Sequence, residues 1–132
     1  MTKEATSVTR RVLLVDDVML NRKLANAFLS KMGWETMEVD GGVVALEWLR
    51  VHPPVDLVLL DISMPDLGGE EVCKQLRADA KFAGLKVIAY TAHAGQEDID
   101  RFLANGFDAA LIKPISSQRL RDTVAALFPT AA

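Results

Sequence analysis

The sequence predicts an α/β fold: a parallel β-sheet of five strands, covered on both faces by five helices. Three observations predict it. Short apolar runs of β-branched, non-alternating character recur along the chain, as expected of strands buried on both faces. Hydrophobic residues at helical spacing occupy the stretches between those runs. The two patterns alternate regularly, and right-handed strand–helix–strand crossovers turn such alternation into a parallel sheet with helices on both sides.

The first strand is residues 11–16, containing Val12-Leu13-Leu14-Val15. Leu20, Leu24, Ala27 and Phe28 then recur at helical spacing, and Gly33 suits the position just past that helix. Trp34 to Val39 reads as the second strand, and a helix over 42–50 carries Val43, Leu46 and Leu49. Pro53-Pro54 ends that helix and starts the third strand, Val55-Asp56-Leu57-Val58-Leu59-Leu60-Asp61. After Pro65 and Gly68-Gly69, the third helix carries Val72, Cys73 and Leu76. Leu85 to Tyr90 is the fourth strand. Ile99, Phe102 and Leu103 mark a fourth helix that stops near Asn105-Gly106. Ala109-Ala110-Leu111-Ile112 forms the fifth strand, and Leu120, Val124 and Leu127 line the last helix.

Composition bounds the function. The 132 residues are the size of one domain, half of them hydrophobic and a quarter charged, as in an ordinary globular protein. The polar, aperiodic residues 1–9 read as a tail or linker remnant, 10–128 as the folded domain, and 129–132 as a C-terminal tail. A net charge of -3 provides no basic footprint, which disfavours direct nucleic-acid binding. Cys73 is the lone cysteine, so no internal disulfide or cysteine-based zinc cluster forms. No apolar run approaches a membrane span, and the N-terminus lacks a signal peptide's apolar segment. The expected location is the cytoplasm, with no membrane partner.

Polar residues end the strands. Asp16 and Asp17 follow the first, Asp61 ends the third, Thr91 follows the fourth, and Lys113-Pro114 follows the fifth. Open parallel sheets bind ligands beyond the carboxyl ends of their strands, so these residues share one edge. Three carboxylates at one crevice repel one another unless a cation sits among them. Hard oxygen ligands select Mg²⁺, Mn²⁺ or Ca²⁺. Mg²⁺ takes one or two carboxylates and shares its other positions with water and phosphate oxygens. Lys113 adds a compact positive charge and Thr91 a hydroxyl. A carboxylate can itself be the nucleophile in phosphoryl transfer, giving an acyl phosphate, with positioning and charge neutralisation doing the catalysis.

Val15-Asp16-Asp17, Asp61-Ile62-Ser63-Met64-Pro65, Gly69-Glu70, Thr91-Ala92 and Lys113-Pro114 stand in order and at the right separations for one family. Over about 10–128 the chain resembles the receiver domain of two-component response regulators. The resemblance implies a flavodoxin-like fold with strand order 2-1-3-4-5, and a phosphorylation site at Asp61. It implies Mg²⁺ (or Mn²⁺) held by Asp17, Asp61 and the backbone carbonyl of Ser63, with Asp16 contributing through water. Thr91 and the Ala92 N–H would bond the phosphoryl oxygens, Lys113 would pair with them, and the bond before Pro114 would be cis. The partner it implies is a histidine kinase or histidine phosphotransfer protein, with a linked kinase or output domain possible. Asn21-Arg22 and Thr91-Ala92-His93-Ala94 are similar to receivers of hybrid kinases and phosphorelays.

Each mark also has a plainer reading. Aspartates at strand ends serve as turn residues, and Lys113 and Thr91 taken singly are ordinary surface residues; the ordered set favours the site. A non-phosphorylated interaction module is the competing function, but such receivers lose acids or the lysine, and all are retained here. An aspartate-nucleophile phosphatase would carry an acid two residues after the nucleophile, where Ser63 stands. No enzymatic activity is therefore expected beyond slow self-dephosphorylation. Ser63 and His93 occupy variable places of the family, where side chains can shield the acyl phosphate from water, and the pair is expected to tune its lifetime. Ala110 replaces the family's frequent aromatic residue three positions before the lysine, and Gly68-Gly69 predicts a looser loop after Pro65.

Overall fold

The computed structural model describes residues 9–129. Burial along each strand assigns its place in the sheet. The central strand β3 (Leu57–Asp61) is buried at every residue. Beside it, β1 (Arg11–Val15) and β4 (Lys86–Thr91) are exposed only at their first residue's fringe. The edge strands β2 (Glu35–Val39) and β5 (Ala109–Ile112) keep partly exposed side chains. All neighbours pair in parallel, in the order β2-β1-β3-β4-β5, which is the order implied by the family resemblance.

Period-two alternation divides the apolar strands between two cores. Leu13, Val15, Val58, Leu60, Val87 and Ala89 face α2 (Gly42–Val51), α3 (Gly69–Arg77) and α4 (Gln96–Ala104). Val12, Leu14, Leu57, Leu59, Ile88 and Tyr90 face α1 (Met19–Lys31) and α5 (Ser117–Leu127). Cys73 is fully buried in α3, and Trp34 packs edge-on against Phe128. His52 stacks on Trp48, and its Nδ1 lies 2.9 Å from that residue's carbonyl oxygen.

The helix ends follow local chemistry. Gly33 adopts φ +93, and the chain closes α1 through Trp34 N–H to Leu29 O and Gly33 N–H to Ser30 O, a Schellman cap. Gly106 does the same for α4 at φ +108. Ser116 caps α5 by accepting from the Arg119 N–H at 3.0 Å.

Two points differ from the sequence reading. Leu20, Val43 and Leu103 do not lie on buried helix faces: Leu20 is 76% exposed, while Ala25 and Leu29 form the buried stripe of α1. Leu20 sits in the first turn of α1, where the helix starts at the rim of the sheet rather than over it. An unpredicted short 3-10 turn, Ala80–Phe82, follows α3 and buries Phe82. The tails predicted at 1–9 and 129–132 fall almost wholly outside the described residues. Among the described residues, no helix is long and apolar enough to cross a membrane.

Candidate functional site

The chain runs outward from β1 to β2, then returns past β1 to add β3, so the strand order reverses between β1 and β3. That reversal opens a crevice at the carboxyl ends of the two strands. Val15 pairs with Leu60, which sets Asp16 beside Asp61. Both are about 2% exposed. Asp17 stands at the exposed rim, and one carboxylate oxygen from each of the three lies within 4.8 Å of the others. Thr91 and Lys113 arrive from β4 and the end of β5.

Lys113 is the counter-charge. Its Nζ lies 2.9 Å from Asp16 Oδ2 and donates to Asp61 Oδ1 at 3.1 Å. Its ammonium also sits over the ring of Tyr90, 4.7 Å from the centroid. Burial works to neutralise Lys113, but the two carboxylates outweigh it and hold its pKa above the ordinary lysine value. Asp61 moves the other way. Burial is the main cause, and Asp16 adds repulsion; Lys113 and the Ser63 N–H offset part of this, leaving a pKa of about 6. Tyr90, buried beneath the acids, is pushed up to about 12 by burial and by Asp16 and Asp61.

One cation does not satisfy this pocket. Asp16 Oδ2 is buried with no hydrogen-bond partner beyond its ion pair with Lys113. Three converging carboxylates against one ammonium leave a net negative, oxygen-lined site, which is the donor set of a hard divalent cation. The residues present therefore fit Mg²⁺.

The cleft beside the acids has a volume of about 330 Å³. Ser63, Thr91, Ala92 and His93 line it, as does Lys113. The Thr91 hydroxyl is not on Asp61: it donates to the His93 carbonyl at 2.9 Å and accepts from the His93 N–H at 3.3 Å. The Lys113–Pro114 peptide is cis. Ala110 leaves no aromatic ring on β5, and Phe107 is packed edge-on against Phe102 instead.

The loop after Pro65 is tethered rather than loose. Neither Gly68 nor Gly69 takes a positive φ. Gly69 is needed for close approach, since a Cβ there would overlap the Asp61 carbonyl oxygen and lie 3.0 Å from Ile62 Cα. Asp66 then reaches across to α2, accepting from Gly42 N–H at 3.2 Å and Val43 N–H at 3.1 Å. Those bonds hold its carboxyl below the usual carboxylate range. Reading the sequence missed this cap; the only signal was a helix beginning at Gly41-Gly42 with no capping side chain of its own. Asp98 and Arg101 were missed as well. Both line the cleft, and Arg101 straps α4 to α3 through Glu70 at 3.0 and 3.2 Å.

The family model for the response regulator receiver domain matches residues 12–125. The polar-differentiation response regulator DivK of Brucella ovis is 38% identical over 117 residues, covering 89% of this chain and 94% of that protein. A chemotaxis response regulator of Vibrio cholerae superposes with a TM-score of 0.84 at 24% identity, over 92% of this chain and all (100%) of that one. The receiver domain of a sensor histidine kinase from Pseudomonas aeruginosa, solved with a magnesium ion coordinated in its active site cleft, gives 0.82 at 26% identity. It covers 93% of this chain and 100% of its own.

Proposed function

This chain belongs to the response regulator receiver domain family, and on that premise we propose that Asp61 accepts a phosphoryl group from a phosphohistidine. The observation that carries the reading is the Lys113 ammonium between Asp16 and Asp61, with a third carboxylate, Asp17, in reach. An interaction module that never met a phosphoryl group would have no use for two buried carboxylates and a buried lysine at this cost in desolvation.

The geometry and the family's pattern support one division of labour. Asp61 Oδ1 is engaged by Lys113 and the Ser63 N–H, leaving Oδ2 for attack on phosphorus. The new O–P bond forms as the P–N bond to the donor imidazole breaks, and the imidazole leaves with the electron pair and takes up a proton. Asp16, Asp17, Asp61 and the Ser63 carbonyl would hold Mg²⁺, which when bound offsets the negative charge of the phosphoryl oxygens. Lys113 follows the charge, pairing with a phosphoryl oxygen. Thr91 gives up its bond to the His93 carbonyl to donate to another, and the Ala92 N–H meets a third. Positioning and charge neutralisation are the whole of the catalysis. Ser63 and His93, at the mouth of the cleft, limit water's access to the acyl phosphate, so the chain acts as a phosphoryl acceptor with slow self-dephosphorylation.

The partner is a histidine kinase or a histidine phosphotransfer protein. The test is incubation with a small phosphodonor such as acetyl phosphate and Mg²⁺. Wild-type protein gains one acid-stable, base-labile phosphoryl group and Asp61→Asn gains none; labelling retained by the variant would sink the assignment.

A further inference from the structure

We infer that Arg22 is a positioning residue: braced by Glu38, it holds the peptide that joins Asp16 to Asp17 and so fixes where their carboxylates stand for a divalent cation. The inference rests on the reading above that the acidic trio takes Mg²⁺.

Arg22 lies in the first turns of α1, and its Nη1 donates to the backbone carbonyl of Asp16 at 2.7 Å. Its Nε donates to Glu38 Oε1 on β2 at 3.1 Å, and both side chains are only 15% exposed. Glu38 is itself held by Asn26 Nδ2 at 2.6 Å and Lys23 Nζ at 3.1 Å. A guanidinium is a rigid planar fork, so anchoring one nitrogen on Glu38 aims the other.

What it aims at matters because, among the described residues, no hydrogen bond holds the Asp17 side chain. Asp16 is secured on its own account, its Oδ1 accepting from Val18 N–H at 2.9 Å and its N–H reaching Val39 O at 3.3 Å. The Asp17 carboxylate accepts no hydrogen bond among the described residues and is exposed. Its place is set by its backbone. The peptide group is planar, so a bond to the Asp16 carbonyl oxygen orients the Asp17 nitrogen and the departure of the chain toward its side chain. Outer-shell groups of this kind govern metal affinity in other sites.

Charge and positioning make opposite predictions. If Arg22 acted only as a nearby positive charge, removing it would leave the trio more negative and Mg²⁺ binding tighter. If it positions Asp17, removing it weakens binding. The experiment titrates MgCl₂ into the full chain and follows backbone amide signals of the cleft by ¹H–¹⁵N NMR, whose dispersion also reports folding. Arg22→Met, which keeps the apolar stem, should raise the Mg²⁺ Kd about tenfold. Arg22→Lys keeps the charge but cannot span both partners, and should also weaken binding; it carries the test if Arg22→Met does not fold. Lys23→Met loses a contact to the same Glu38 without touching Asp16, and should stay within about twofold of wild type. Unchanged or tighter binding by the Arg22 variants overturns the inference, as does equal weakening in Lys23→Met. Wild-type protein indifferent to Mg²⁺ would overturn the metal reading itself, and the inference with it.

Discussion

Removing the charge of Asp61 should stabilise the fold in the absence of a divalent cation. The folded protein raises this carboxyl from the ordinary 3.8 to about 6, chiefly through burial. Each tenfold change in proton affinity is worth about 1.4 kcal/mol, so the ionised side chain costs about 3 kcal/mol at neutral pH. That cost is already net of the attraction to Lys113, so Asp61→Asn, which removes it, should gain up to about 3 kcal/mol. The pH dependence has a definite sign. A raised folded pKa contributes stability that is fully present below about pH 4 and is lost as pH rises through about 6. The advantage of the variant should therefore be small near pH 4, grow between pH 4 and 6, and stay level above that. Urea unfolding of both proteins in EDTA, at several pH values, measures it directly. Adding Mg²⁺ should stabilise wild type more than Asp61→Asn and narrow the gap. Equal midpoints at pH 7, or a variant less stable than wild type there, would refute the reasoning.

Three further outcomes are expected. Lys113→Met leaves two buried carboxylates without their counter-charge, and should lower stability by about 3 kcal/mol in EDTA, with a sizeable part regained in Mg²⁺; urea midpoints with and without the ion check this. Gly69→Ala drives a methyl into the Asp61 carbonyl, which should cost about 1–3 kcal/mol and slow phosphoryl uptake by displacing the end of β3; an alanine variant as stable and as fast as wild type contradicts the close-packing argument. Exchanging both Ser63 and His93 for alanine opens the cleft to water and should speed loss of label from phosphorylated protein, measured by its decay after the donor is removed. Unchanged decay would take the tuning role from these two residues.

The strands and the chemistry at their ends were legible because both follow from short-range signals, whereas the order of the strands came only through the family resemblance. A strand buried on both faces is a continuous apolar run, and Val12 to Val15 and Leu57 to Leu60 end abruptly in acids. The orientation of helix faces was harder to read. Leu20, Val43 and Leu103 have the right spacing for a buried stripe yet are exposed, because the stripe is chosen by how each helix lies across the sheet, a tertiary property. The contacts that brace the site were illegible for a related reason. Asp66 capping α2 spans 24 residues, and Arg77 ties the Gly106 carbonyl, the Leu85 carbonyl and Asp108 together across loops up to 31 residues away. Asn21-Arg22 was visible as a family mark, but its bond to the Asp16 carbonyl exists only once α1 is seated beside β2.

The central claim is that one carboxylate, Asp61, becomes the acyl phosphate. The most direct measurement is to phosphorylate the chain with acetyl phosphate in Mg²⁺, reduce it with borohydride, which converts an aspartyl phosphate to homoserine, and map the product by peptide mass spectrometry. The account predicts homoserine at position 61 and aspartate at positions 16 and 17. Homoserine at another position, or an intact Asp61 in protein that carries the label, would contradict it.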